Sequence, residues 1–251
     1  MTNEQSLNRV DVFGNLQNLE LEIHDNPEET LDPAEVEQLH GVADSAFDKE
    51  GVPEKSDTED HIIGHANTLV AAKADDEYIA FSSTSDLEDT VYEVGIAVTE
   101  EFQQNGLGGL LLSRSLDEEV DAEDIFTYRT QNPSMYGLAD SMFEVFPQPE
   151  KETPEHLIRK VEDVADALGA EEIDGHVEKE AYGEDYGSMY EQLPEGETRD
   201  FLEEDLGMRP YEGDAVIVAA EIDEEQVEDQ YLSAVEEVEN QYGLEVEESH
   251  R

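Results

Sequence analysis

Residues 92–112, Tyr92 to Leu112, read YEVGIAVTEEFQQNGLGGLLL. An apolar run with β-branched residues ends at Val98, a polar turn follows, and a glycine-rich step leads into a helix-like apolar repeat. Strand, glycine loop and helix N-terminus together present several backbone N–H groups to one phosphate. Gly106, Gly108 and Gly109 remove side chains where a phosphate must come close, and the helix dipole favours its charge. Glycine at such a junction also serves a tight turn alone. The stretch has no Gly-x-Gly-x-x-Gly and no Gly-Lys-Ser/Thr, so dinucleotide and P-loop readings fit it worse.

The fuller spacing is more specific. Gln103-Gln104-Asn105-Gly106-Leu107-Gly108, five residues beyond Val98, resembles the acetyl-CoA signature of the GNAT N-acetyltransferase superfamily. That signature is (Arg/Gln)-x-x-Gly-x-(Gly/Ala) after the fourth strand. The resemblance implies a CoA pyrophosphate on Gln103, Gln104, Asn105, Gly106, Leu107, Gly108 and Gly109. It also implies that strands four and five splay, with pantetheine entering against the backbone of Ile96, Ala97 and Val98. Asn132, after the fifth strand, would face the cofactor arm, although a helix-capping role alone also explains it.

Charge is the second signal. The chain has 251 residues, 68 acidic and 13 basic, for a formal net charge of −55. Chains this acidic are often disordered, but 37% of residues are hydrophobic and fall in periodic segments. A folded core under an acidic surface fits better. Such a surface is tolerable where salt shortens the Debye length to about 3 Å at 1 M. The composition resembles that of a protein from a salt-in halophilic microbe. The rival, an acidic surface built for a basic partner, sits poorly with acidity spread along the whole chain. No basic stripe exists to neutralise phosphates, which argues against nucleic acid.

Absences bound the rest. Without cysteine there is no disulfide, thiolate zinc site or acyl-cysteine. No run of 18 apolar residues occurs and MTNEQSLNRV has no hydrophobic signal region, so a cytoplasmic protein is expected, with no membrane contact. His61 and His65 have metal-ligand spacing on a helix but no evident third ligand, so no metal is expected.

Along the chain, residues 1–18 are a polar lead-in. Leu19 to Ile23 alternates as a strand. Asp32-Pro33-Ala34-Glu35 has the cap, first-turn proline and capping box of a helix start, and Asp60 to His65 reads as a second helix. Strands follow at Thr68–Lys73, Glu77–Ser83 and Thr90–Val98, and Ala74-Asp75-Asp76 makes the first connection short enough for an antiparallel hairpin. A helix from Gly106 to about Val120, a strand at Ile125–Thr130 and a helix opened by Asn132-Pro133 and running to about Val145 complete the series.

The order β-α-α-β-β-β-α-β-α matches the GNAT core better than a doubly wound parallel sheet. The expected class is therefore α+β, an α/β three-layer sandwich with a mixed, mostly antiparallel sheet flanked by helices. The unit spans 19–223, with an insertion at about 146–200 before the closing strand Asp214–Ile222. That insertion opens with a helix at Thr153-Pro154 and includes a strand candidate at Ile173–Ala181; Asp200–Leu206 reads as a short helix after it. Residues 224–251 form an acidic amphipathic helix and tail, packing on its own domain or forming a homodimer contact.

Direct acetyl transfer from a thioester to an amine needs a base, an oxyanion donor and a proton for the leaving thiolate. The resemblance implies a fourth-strand carboxylate as base, here Glu93. Simple strand parity puts Tyr92, not Glu93, on the face of Val94, Ile96 and Val98, and a bulge would reverse this. Relatives commonly place the acid, a tyrosine, where this chain has Ala139. Tyr136 on the same helix and Tyr182, Tyr186 and Tyr190 in the insertion are the substitutes; Tyr136 and Tyr190 are the leading candidates. Arg114 and Arg129 either meet CoA phosphates or form core ion pairs. The implied activity is acetyl-CoA-dependent N-acetylation of an amine on a small molecule or protein. The alternative is a silent acyl-CoA-binding sensor or interaction module.

Overall fold

The computed structural model describes residues 18–47, 55–120, 124–182 and 188–251. Its strands are β1 (Asn18–Asp25), β2 (Thr68–Ala74), β3 (Glu77–Asp86), β4 (Val91–Val98), β5 (Asp124–Thr130), β6 (Val145–Phe146), β7 (Ile173–Asp174), β8 (Val177–Glu178), β9 (Ala215–Ile222) and β10 (Glu245–His250). They form one sheet in the order β10-β1-β2-β3-β4-β5-β9-β8-β7, with β6 also on β9. Only β10/β1 and β4/β5 run parallel. The helices are α1 (Pro27–Thr30), α2 (Pro33–Ala46), α3 (Lys55–Asp57, continuing as a π-helical turn Thr58–Ile63), α4 (Leu107–Glu119), α5 (Pro133–Met142), α6 (Glu155–Ala167), α7 (Glu197–Asp200, continuing as a π-helical turn Phe201–Asp205) and α8 (Glu224–Tyr242).

Alternation along the strands builds two cores, one on each face. Val216, Val218 and Ala220 of β9 face α4 and α5, while Ile217 and Ala219 face α6. Val70 and Ala72 of β2 face α4 and α8, while Leu69 and Ala71 face α2. This is the expected three-layer sandwich.

Local signals act as their chemistry requires. Asp75 and Asp76 take φ of 52° and 68°, the doubly left-handed turn whose twist matches a two-residue hairpin. The Asp32 carboxylate accepts from Ala34 N at 2.7 Å and Glu35 N at 3.0 Å, and Glu35 returns a bond to Asp32 N. Those two backbone N–H groups, Glu35 then Ala34, hold the Asp32 carboxyl below its ordinary range. Asp32→Ala should therefore lower the melting temperature by about 2–4 °C at neutral pH. A depressed carboxyl stabilises above its unfolded pKa and loses that contribution as pH falls through the folded value. The gap between variant and wild type should close on acidification, which melting curves would show.

Several boundaries differ from the sequence reading. The second helix begins at Lys55, ahead of Asp60, and its π-helical turn buries Thr58 under His40, with Oγ1 and Nδ1 3.2 Å apart. The helix after Asn132 stops at Met142, because Val145-Phe146 pairs with Ala219–Ala220 of β9. The strand expected over Ile173–Ala181 is a small hairpin, β7–β8, turned at Gly175 with φ 62°. Val177 then pairs with Val216 and extends the sheet.

The tail is more than a helix. Val227, Tyr231 and Val238 of α8 are buried against the α4 side, so this helix packs on its own chain. Beyond it β10 returns as an edge strand beside β1. Arg251 closes that edge: its guanidinium meets Glu22 at 3.0 Å and its N–H donates to Ile23 O. Burial opposes ionisation of Glu22, but Lys73 at 2.8 Å and the Tyr78 hydroxyl at 2.5 Å outweigh it and hold this carboxyl low. The lead-in at 1–17 and Tyr186 lie outside the described residues.

Candidate active site

The site begins where β4 stops being an ordinary strand. Ser83 pairs with Gly95 but Thr84 pairs with Glu93, so Val94 is an extra residue, a bulge. The bulge resolves the parity question. Tyr92 and Val94 pack on the α6 side, whereas Glu93 shares the α4 side with Ile96 and Val98. Parallel pairing with β5 covers only Val91–Glu93 against Phe126–Tyr128. From residue 94 on, the β4 edge facing β5 has no ladder partner among the described residues. Backbone groups on such an edge need another hydrogen-bonding partner.

A cleft of about 440 Å³ opens at this parting and is lined from both faces of the sheet. Tyr92, Glu93, Ile96 and Ala97 line it from β4, and Tyr128 and Arg129 from β5. Asn132 and Met135 add the start of α5, and Asp57, His61 and Ile62 add α3. A Cβ at Gly95 would lie 3.4 Å from the Ile62 side chain of α3, an ordinary contact.

Glu93 is 4% exposed. Its two carboxylate oxygens each accept from Ser82 Oγ at 3.1 Å, and Ser82 Oγ lies 2.7 Å from Ser115 Oγ on α4. Burial pushes the Glu93 carboxyl well above its ordinary range, against the opposing Ser82 and Ser83 hydrogen bonds. A carboxyl raised in this way is a stronger proton acceptor than an exposed one.

The tyrosines separate. Tyr136 is buried in the core with its hydroxyl on the Pro147 carbonyl, and it does not line the cleft. Ala139 is fully buried beside it. Tyr190 does line the cleft, its ring 5.4 Å from Phe47. It is set there by Gln131, a residue the sequence reading passed over. Gln131 Nε2 donates to Pro210 O and Asp214 O, each at 3.0 Å, and its Oε1 accepts from Met189 N at 3.0 Å. Tyr182 lines the cleft under Arg129, whose guanidinium carbon is 5.1 Å from the ring centre.

Both open arginines form ion pairs. Arg129 Nη1 reaches the Glu178 carboxylate at 3.1 and 3.2 Å. Arg114 bridges Asp117, Glu118 and Glu248. The rings of His61 and His65 lie 6.0 Å apart, and no cluster of metal-ligating groups occurs among the described residues.

The glycine loop is a separate feature that the cleft lining does not reach. Gln103 Nε2 donates to Val98 O at 3.0 Å and ties the loop to the strand end. Gln104 and Gly106 take positive φ, 61° and 84°, which turns the chain into α4. The α4 N-cap, Gly106, supplies no side-chain acceptor, and its first turn carries no acidic residue, although nearly every other helix of this chain starts with one. First-turn N–H groups lack intrahelical partners, so the electrostatics of this end favour an anion over a cation. Asn105 accepts from the Tyr242 hydroxyl at 2.9 Å, which seats the end of α8 on the loop. A Cβ at Gly108 or Gly109 would lie 3.4 or 3.6 Å from Leu138 of α5, an ordinary contact.

Residues 33–132 match the model of the Acetyltransferase (GNAT) family, whose members are generally acetyl-CoA-dependent acetyltransferases. The fold is the GNAT fold. No curated protein matches the chain significantly. Solved structures that resemble it include the ribosomal-protein-S18-alanine N-acetyltransferase from Escherichia coli, with 14% identity, 81% of this chain and 94% of that chain covered, and a TM-score of 0.45. The IAA acetyltransferase from Bacillus cereus gives 15%, 80%, 99% and 0.44. A Bacillus subtilis acetyltransferase in complex with CoA gives 14%, 82%, 99% and 0.44. Glu178, Tyr182 and Tyr190 all lie outside the matched residues 33–132. No helix among the described residues is long and apolar enough to cross a membrane.

Proposed function

We propose that this chain is a cytoplasmic acetyl-CoA-dependent N-acetyltransferase that acts by direct transfer to an amine. The observation that carries the reading is the coincidence, at one bulge, of the parting of β4 from β5 with a buried, proton-avid carboxyl. Acetyl-CoA supplies the activated acyl group as a thioester. The open α4 N-terminus and the Gln103–Gly109 loop suit its pyrophosphate, and the unpaired β4 edge at Ile96, Ala97 and Val98 suits its amide-bearing arm. Asn132 lines the same cleft but also caps α5 through Ser134 N at 2.9 Å. Glu93 takes the amine proton, directly or through water. Tyr190, not the core-locked Tyr136, is the side chain placed to return a proton to the leaving thiolate.

We read the surface in the same spirit, as fitted to molar salt. The described lysines and arginines are nearly all engaged in intramolecular ion pairs, so the surplus carboxylates face solvent.

Glu93→Gln tests the catalytic assignment. Turnover at neutral pH should fall on the order of 100-fold with acetyl-CoA affinity nearly unchanged, and the loss should shrink at alkaline pH where the free amine needs no base. A raised carboxyl stabilises the fold below its unfolded pKa and loses that contribution as pH rises through the folded value. The variant should therefore gain melting temperature relative to wild type as pH rises. An unaltered pH–rate profile would move the role elsewhere, with His61 the next titratable group in the cleft. Tight CoA binding by wild type without turnover of any amine would favour the acyl-CoA-binding module.

A further inference from the structure

The chemistry of the cleft walls narrows the acceptor, an inference that rests on the acetyl-transfer reading. Among the described lining residues the charged side chains are Asp57, Glu93 and Arg129. Arg129 is already neutralised: both Glu178 oxygens lie within 3.2 Å of its Nη1, and the Tyr182 ring covers its face. Glu178 is itself 3% exposed and the Arg129 side chain only 20%, so this pair is a largely buried part of the wall. An acceptor carrying a carboxylate or phosphate would lose its hydration and, among the described lining residues, find the carboxyls of Asp57 and Glu93 and no lysine or arginine besides the paired Arg129. Burying a charge without a partner is strongly unfavourable.

Rings make up much of the remaining wall, beside aliphatic side chains such as Ile96 and Met135 and the polar Thr130, Gln131 and Asn132. Phe47 and Tyr190 stand together on the α2–α3 side, Phe81 lies behind them, and Tyr92, Tyr128 and Tyr182 line the parting itself. Ring faces attract an ammonium and accept an apolar body alike. The volume, about 440 Å³, lies in the range for small ligands and must also admit the acyl-bearing arm. We infer that the acceptor is a small monoamine with one positive charge, an apolar body about the size of a ring, and no anionic group.

The test uses the intact protein in molar KCl with CoA present, since buried charges are screened little by salt. Calorimetry would compare 2-phenylethylamine with phenylalanine, which adds only a carboxylate, and with spermidine, which adds charge and removes the ring. The amine should bind on the order of 100-fold more tightly than phenylalanine, and more tightly than spermidine. Equal or tighter binding of phenylalanine or spermidine, or no binding of phenylethylamine, would overturn the inference. Glu178→Gln, which leaves Arg129 uncommitted, should narrow the phenylethylamine-to-phenylalanine ratio by about tenfold or more. An unchanged ratio in a folded variant would overturn the electrostatic argument. Acetyl-CoA turnover is measured in parallel. Turnover of other amines alongside failed selectivity sinks only the acceptor class. The expected binding order without turnover of any amine sinks the transferase reading instead.

Discussion

Lowering KCl from molar to about 0.1 M should unfold this chain partly or completely. That change lengthens the Debye length from about 3 to about 10 Å, so many more of the 68 carboxylates repel one another. A native state is stable by only about 5–15 kcal/mol in typical proteins, and a net charge of −55 opposes compaction directly. The cations present do not offset this, because they pair locally, as Arg114 does with Asp117 and Glu118 and Lys179 does with Asp214. Acidification towards the pI should restore the fold at low salt as surface carboxylates protonate. Circular dichroism melts across a salt series would check both results. A melting temperature flat over that range would refute the halophilic reading and revive the acidic surface as a docking site for a basic partner.

Gly108→Asp should abolish CoA binding. Gly108 lies in the first turn of α4, where, on the proposed reading, a carboxylate would meet the charge of the CoA pyrophosphate. Its Cβ would also lie 3.4 Å from Leu138, an ordinary contact with the end of a flexible side chain. Gly108→Ala separates the two effects: it fills the same space without charge and should keep most of the affinity. Calorimetric titration of both variants with CoA, alongside melting curves, would show this. Near-normal affinity in folded Gly108→Asp would place the pyrophosphate elsewhere.

Much of this architecture is legible in short stretches of sequence, because the forces behind them are local. The Asp32 cap, the Asp75-Asp76 turn, the Asn132-Pro133 helix start and the positive-φ Gly106 each depend on residues within one turn of chain. The continuous apolar run of β9 and the glycine loop also needed no distant partner to be recognised. The bulge at Val94 is different. It depends on register against β3, and without it Glu93 would face away from Ser82. Nor is β10 written in its own residues: EVEESH carries weak apolar alternation and takes strand form beside β1, with Arg251 anchored on Glu22 and Glu248 on Arg114. Arg129 became a paired wall residue only when the hairpin β7–β8 delivered Glu178 to it. The bend before Tyr190 is held by Gln131, 58 positions away from the Met189 whose N–H donates to it. Turns and caps satisfy neighbours along the chain and so are determined by sequence, whereas register, edge pairing and buried charge partners are decided only when distant segments meet.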